Sequence, residues 1–193
     1  FTTFDFNDTK EMNSIVKPFI TTLETSKERI MKLAKINGDV YNEIAKTAFG
    51  IFGVESNYGD TNSSITNIIK GVVKKISPTS GGPDTKFESD YRKDEKEKGW
   101  NSLGLTQVVW NQVSKQEKLL LKNLGINKIE DFNDPVRAAK GTALILAMRY
   151  RNEIGDKNIN NIDSVLPTLW NKGNKYKERV SEAQRFINLK EKN

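Results

Sequence analysis

Residues 41–59 read YNEIAKTAFGIFGVESNYG, and the fold follows from how apolar this stretch is. Between Ile44 and Val54 only Lys46 and Thr47 carry polar side chains, so as a helix the segment is apolar on nearly every face. Such a helix belongs in the middle of a domain. Gly38 offers an end to the preceding helix, and Asp39 an N-cap for this one. At the far end, Glu55 shares a face with Ile44, Ala48, Ile51 and Phe52. Its carboxyl is therefore expected on the packed side. Burial and the negative end of the helix dipole both disfavour the ionised form. A raised pKa would let Glu55 donate a proton near neutrality. The alternative is a side chain that lays its stem on apolar surface and carries its head to water.

Outward from this helix, residues 1–9 read as an irregular arm that Phe1, Phe4 and Phe6 tack onto the body. Residues 10–24 and 26–37 read as scaffold helices, the first interrupted or kinked at Pro18. On the other side, residues 61–77 place Ile65, Ile68, Ile69, Val72, Val73 and Ile76 at helical spacing. Residues 78–99 are polar and rich in breakers, which predicts either a mobile flap near the site or plain disorder. Ser114 and Glu117 form a capping box that opens a short helix ending near Gly125. Asp134-Pro135 opens a strong helix stopped by Gly155, with Ala139, Ala143, Leu146 and Ala147 placed to pack on the central one. The chain closes with a segment at Asp163–Trp170, a linker at Asn171–Gly173, and a helix from about Lys175 to Leu189. Strand signals are confined to short ambiguous stretches between residues 78 and 110. The expected fold is mainly α and a single domain. Residues 1–38 form its arm and scaffold, and residues 39–193 its functional region.

At 193 residues the chain can bury a core without staples. It has no cysteine and no histidine, which excludes disulfides, thiolate nucleophiles and every histidine-based triad or metal site. Acid–base chemistry falls to Asp, Glu, Lys or Tyr. The excess of 31 Lys+Arg over 25 Asp+Glu, a formal +6, favours anionic partners such as nucleic acid or a bacterial wall and selects none. A concentrated basic helix with interleaved aromatics is missing, so nucleic acid is not the expected partner. No apolar run reaches membrane-spanning length. The opening FTTFDFNDTK does not read as a signal peptide, and a start at Phe1 suggests a processed chain or an excised fragment.

Three elements carrying chemistry recur in order: Glu55-Ser56, then Ser102-Leu103-Gly104-Leu105-Thr106-Gln107, then Leu169-Trp170-Asn171-Lys172-Gly173 with Tyr176, Arg179 and Val180 behind it. In these the chain resembles the soluble lytic transglycosylase and goose-type lysozyme group, whose motifs run ES, GLMQ and AYNAG. A DPxxA helix start (Asp134, Pro135, Ala138) stands between the last two, and the resemblance spans roughly residues 40–185. It implies a lysozyme-like helical domain, here with a long polar insert, that cleaves peptidoglycan. It also implies Glu55 as the catalytic acid, with Ser102, Gly104, Leu105, Gln107, Trp170, Asn171 and Tyr176 binding substrate. Departures are LWNKG for AYNAG, GLTQ for GLMQ, and a longer gap between Glu55 and Gly104. That insertion leaves the family serine after the acid unplaced between Ser63 and Ser64.

The same residues make sense for a sugar polymer. Glycosidic cleavage needs an acid at the leaving oxygen. Gly104 either leaves room for a substrate or is a turn glycine. Gln107 offers an amide suited to hydroxyl and N-acetyl groups, or a solvated side chain. Asn171 either bridges sugar and backbone or caps a helix end near Gly173. Tyr176 either bonds Glu55 or the sugar, or fills the core. Trp100, Trp110 and Trp170 are stacking walls or core aromatics, and Trp170 has the best claim on the cleft because it adjoins Asn171.

Inverting hydrolysis needs a second carboxylate, for which Asp60, Asp84, Glu88, Asp90 and Asp94 are the candidates. A lytic transglycosylase, by the resemblance, uses one Glu. The expected function is therefore lytic cleavage between MurNAc and GlcNAc with Glu55 as sole acid/base. The rivals are a goose-type hydrolase using an Asp from residues 84–94, and a non-catalytic wall-binding module. The expected setting is a phage virion or lysin, or a periplasmic or secreted enzyme, acting as a monomer on glycan strands with no metal or organic cofactor.

Overall fold

The computed structural model describes residues 10–56, 58, 102–155 and 161–186. The expected arm at residues 1–9, the expected helix at 61–77, the polar stretch at 78–99, Trp100, Ser63, Ser64 and the carboxylates Asp60, Asp84, Glu88, Asp90 and Asp94 lie outside them. What is described is mainly helical: α1 (Lys10–Thr25), α2 (Lys27–Ala34), α3 (Gly38–Ser56), α4 (Lys115–Asn123), α5 (Pro135–Glu153), α6 (Ile162–Val165) and α7 (Tyr176–Ala183). Between α3 and α4 in sequence, β1 (Ser102–Leu103) pairs antiparallel with β2 (Val108–Val109), Ser102 opposite Val109 and Leu103 opposite Val108. Among the described residues no helix is long and apolar enough to cross a membrane.

Two helices of the same build make the core. In α3, Tyr41, Ile44, Ala45, Thr47, Ala48, Phe49, Gly50, Ile51 and Phe52 are buried, as its composition requires. In α5 every residue from Gly141 to Met148 is buried, together with Ala138 and Ala139. α5 packs against α1, α2, α3 and α4, and α3 packs against α5 and α7. The small residues of α5 let these neighbours come close. α1 is continuous through Pro18 rather than broken by it. Val16, Phe19 and Leu23 bury one face of α1, and Phe19 stacks on Phe52 of α3 with ring centroids 4.2 Å apart. That burial outweighs the single backbone bond a proline removes.

The helix ends differ in detail from expectation. α2 closes on Lys35 in the left-handed region (φ 55°), so Gly38 is the first residue of α3 and not a terminator. The cap of α3 is Asn37, whose Oδ1 accepts from the Val40 N–H at 2.9 Å, while Asp39 sits in the first turn near the positive end of the dipole. The Ser114–Glu117 capping box and the Asp134-Pro135 start are both present. α7 is helical over Tyr176–Ala183 and tightens into a 3-10 turn at Gln184–Phe186.

One close approach decides how α7 docks. A Cβ on Gly50 would lie 2.6 Å from the Val180 carbonyl oxygen. Only glycine at that position lets the backbone of α7 come down on α3. The same docking brings Tyr176, one turn before Val180, to the end of α3 where Glu55 stands.

Candidate active site

Glu55 is carried by the last turn of α3 and is half-buried. The Tyr176 hydroxyl donates to its Oε1 at 2.8 Å, across 121 positions of sequence. Burial pushes the Glu55 carboxyl above the ordinary carboxylate range, and it prevails over the opposing pull of the Tyr176 hydrogen bond and the Arg179 charge. Burial, joined by the Glu55 charge and hydrogen bond, pushes the Tyr176 phenol up as well, so it stays a donor. The pair holds a carboxyl that keeps its proton to higher pH than a solvated one.

Tyr176→Phe removes a donor that favours the carboxylate, so the Glu55 titration midpoint should move further up. Carboxyl-carbon NMR titration of wild type and variant measures this directly. A midpoint that stays put or falls would mean that the hydroxyl does not govern the acid.

Glu55 opens onto a cleft of about 650 Å³, lined also by Ser102, Gln107, Val108, Val109, Gln112, Arg149, Glu153, Thr168, Leu169, Trp170, Asn171 and Lys172. The sequence-derived set thus converges in part. Glu55, Ser102, Gln107, Trp170 and Asn171 face one cavity, and Tyr176 stands behind Glu55.

The hairpin that joins β1 to β2 is the GLTQ turn. Gly104 takes φ +88° and Gln107 φ +52°. The Ser102 hydroxyl donates to Gln107 Oε1 at 2.7 Å, and Gln107 Nε2 donates to the Gly104 carbonyl at 2.9 Å. The amide expected to meet a sugar is therefore stapled into its own turn, and it presents itself to the cleft in a fixed orientation.

Gly104 makes room for protein and not for ligand, since a Cβ there would lie 2.5 Å from the Phe132 carbonyl oxygen. That carbonyl accepts from the Leu105 N–H at 2.9 Å. Leu105 has 0 % exposure and lines no part of the cleft, so its expected substrate contact gives way to a core role. Thr106 is buried with its hydroxyl 2.8 Å from that of Thr142 on α5.

Trp170 follows the 3-10 turn Leu166–Leu169 and is half-buried. Its Nε1–H donates to the Thr106 carbonyl at 3.0 Å, which joins the LWNKG segment to the GLTQ turn. Asn171 is exposed on the cleft, and its Oδ1 accepts from the Gly173 N–H at 2.7 Å, fixing a local turn rather than capping a long helix. Trp110 lies outside the cleft lining, with Lys118 Nζ 4.8 Å from its ring centroid.

Sequence reasoning missed Gln112, Arg149, Glu153 and Lys172 as cleft residues. Arg149 and Glu153 had a signal of a kind, charges at the end of a strongly apolar helix. Nothing local to Gln112 marks it. Among the described residues no group of three or more carboxylates is placed to hold a metal ion. The chain matches no protein-family model, no curated protein and no solved structure.

Proposed function

We propose that this protein is a peptidoglycan lytic transglycosylase of lysozyme-like fold, cleaving the β-1,4 bond between MurNAc and GlcNAc. The observation that carries the reading is Glu55: a carboxyl with raised proton affinity, held by Tyr176, opening onto a polar cleft. Glu55 gives its proton to the bridging oxygen as the bond from C1 to that oxygen breaks. The resulting carboxylate takes the proton of the muramoyl 6-hydroxyl, whose oxygen closes on C1 to leave a 1,6-anhydro end. An intramolecular nucleophile gains from high effective molarity and needs no positioned water. Trp170 and Asn171 flank the strand, and the Gln107 turn forms part of the cleft lining near Glu55.

Digestion of purified sacculi with mass spectrometry of the products tests this. Anhydro-muropeptides are expected. Reducing ends alone would exclude the lytic route, and binding of sacculi without soluble products would leave a wall-binding module.

A second reading has one observation in its favour. Glu153 lines the same cleft, so a second carboxylate is present without recourse to residues 84–94. A hydrolase would use it to activate water. Glu153→Gln separates the two. The lytic route predicts turnover close to wild type, whereas a base role predicts a loss of roughly 10²–10⁴-fold and reducing-end products from the native enzyme.

A further inference from the structure

The structure assigns Arg149 as the positioning residue of the cleft wall, the group that holds Trp170 and its neighbours where a glycan ring would lie. This rests on the glycan-cleaving reading for its ligand and on geometry alone for its mechanism. Arg149 follows directly on the buried run of α5, with 18 % of its side chain exposed. Its Nε–H donates to Glu117 Oε2 at 3.1 Å, one terminal nitrogen to the Leu169 carbonyl at 2.9 Å, and the other to the Gln112 carbonyl at 3.2 Å. The guanidinium carbon also lies 5.6 Å from the Trp170 ring centroid.

Glu117 is itself fixed. It is 4 % exposed, and its Oε1 accepts from the Ser114 N–H at 2.8 Å as half of the capping box of α4. One planar fork therefore ties the start of α4, the turn at Trp110–Gln112 and the turn before Trp170 to the rigid end of α5. Gln112, Leu169 and Trp170 all line the cleft. Two of the three bonds end on the wall residues Gln112 and Leu169, the third on the buried Glu117, and none on Glu55, so Arg149 governs where a strand sits and not how its bond breaks. A lysine cannot substitute, because an ammonium lacks the fixed fork that reaches three acceptors in different directions.

The test compares wild type with Arg149→Lys, which keeps the charge beside Glu117 and loses the fork. Three readouts are taken: affinity for a β-1,4-linked N-acetylglucosamine oligomer, KM and kcat on sacculi, and the Trp170 indole N–H resonance, assigned with Trp170→Phe. Expected are a shifted indole resonance, an affinity loss and KM rise of about tenfold, and kcat within about twofold of wild type. An Arg149→Lys protein with native indole signal and native affinity would overturn the assignment, since a mere charge partner is rescued by lysine.

Should that variant not fold, Arg149→Met combined with Glu117→Gln removes the buried charge along with its partner. An unmoved Trp170 in that protein, or its failure to fold as well, equally overturns the assignment. If wild type neither binds nor cleaves glycans while the indole still shifts in Arg149→Lys, the glycan reading has failed and the positioning role stands.

Discussion

Glu55→Gln is expected to lower the release of soluble muropeptides by roughly 10²–10⁴-fold, the usual contribution of a positioned acid–base group. The amide keeps the shape of the carboxyl and can still accept from Tyr176, so the cleft should retain its form and its affinity for glycan. Loss should therefore fall on kcat with KM little changed. A variant that digests sacculi at the native rate would remove Glu55 from the chemistry.

The same substitution has a stability signature of opposite sign. Burial raises the folded-state affinity of Glu55 for its proton above that of the unfolded chain. The folded protein then holds more protons than the unfolded one across the interval between the two midpoints. The stability this contributes is complete below the unfolded midpoint and is lost as pH rises through the folded one. Glutamine has no proton to lose. Thermal unfolding at about pH 4 and about pH 8 should show Glu55→Gln gaining on wild type at the higher pH. No change in the difference would mean the carboxyl is as well solvated folded as unfolded.

Gly104→Ala is expected to destabilise the fold by about 2–4 kcal/mol, from left-handed backbone strain together with a clash that the packed hairpin cannot relieve. The new methyl would meet the Phe132 carbonyl oxygen at 2.5 Å and the Phe132 Cβ at 2.6 Å, against a turn held by the bond from Leu105. Gly125 supplies the control. Its φ is +76°, yet nothing lies within 4 Å of its Cβ position. Gly125→Ala should cost only the strain, about 1 kcal/mol. Urea unfolding of both variants isolates the contact, and equal losses would show that the approach to Phe132 carries no weight. Displacing this turn also moves Thr106, which accepts from Trp170, so glycan affinity should fall with stability.

Periodicity made the helical part of this architecture readable, because α3 and α5 are apolar on nearly all faces and can only be interior. Glu55 was readable for the same reason: its position on the packed face follows from 3.6-residue spacing. Gly104, Leu105 and Gln107 were picked out as one motif, but their roles were not readable. Whether a glycine admits a ligand or a carbonyl depends on Phe132, which is distant in sequence. The amide of Gln107 is occupied by Ser102 and the Gly104 carbonyl, a local arrangement that needs the hairpin register to be known. Glu153 and Arg149 stood out as charges at the end of an apolar helix, but which surface they line is decided by tertiary packing and could not be read from the sequence. The caps of α3 went to Asn37 instead of Asp39 because α2 ends early on a left-handed Lys35.

The close seat of α7 on Gly50 bears on timing. The groups that tune Glu55, Tyr176 by its hydroxyl and Arg179 by its charge, arrive on the last described helix. A chain emerging from the ribosome would carry its carboxyl long before it could keep that carboxyl dry. Under the proposed chemistry, the acid therefore takes its tuned form only once this last described helix has closed on α3.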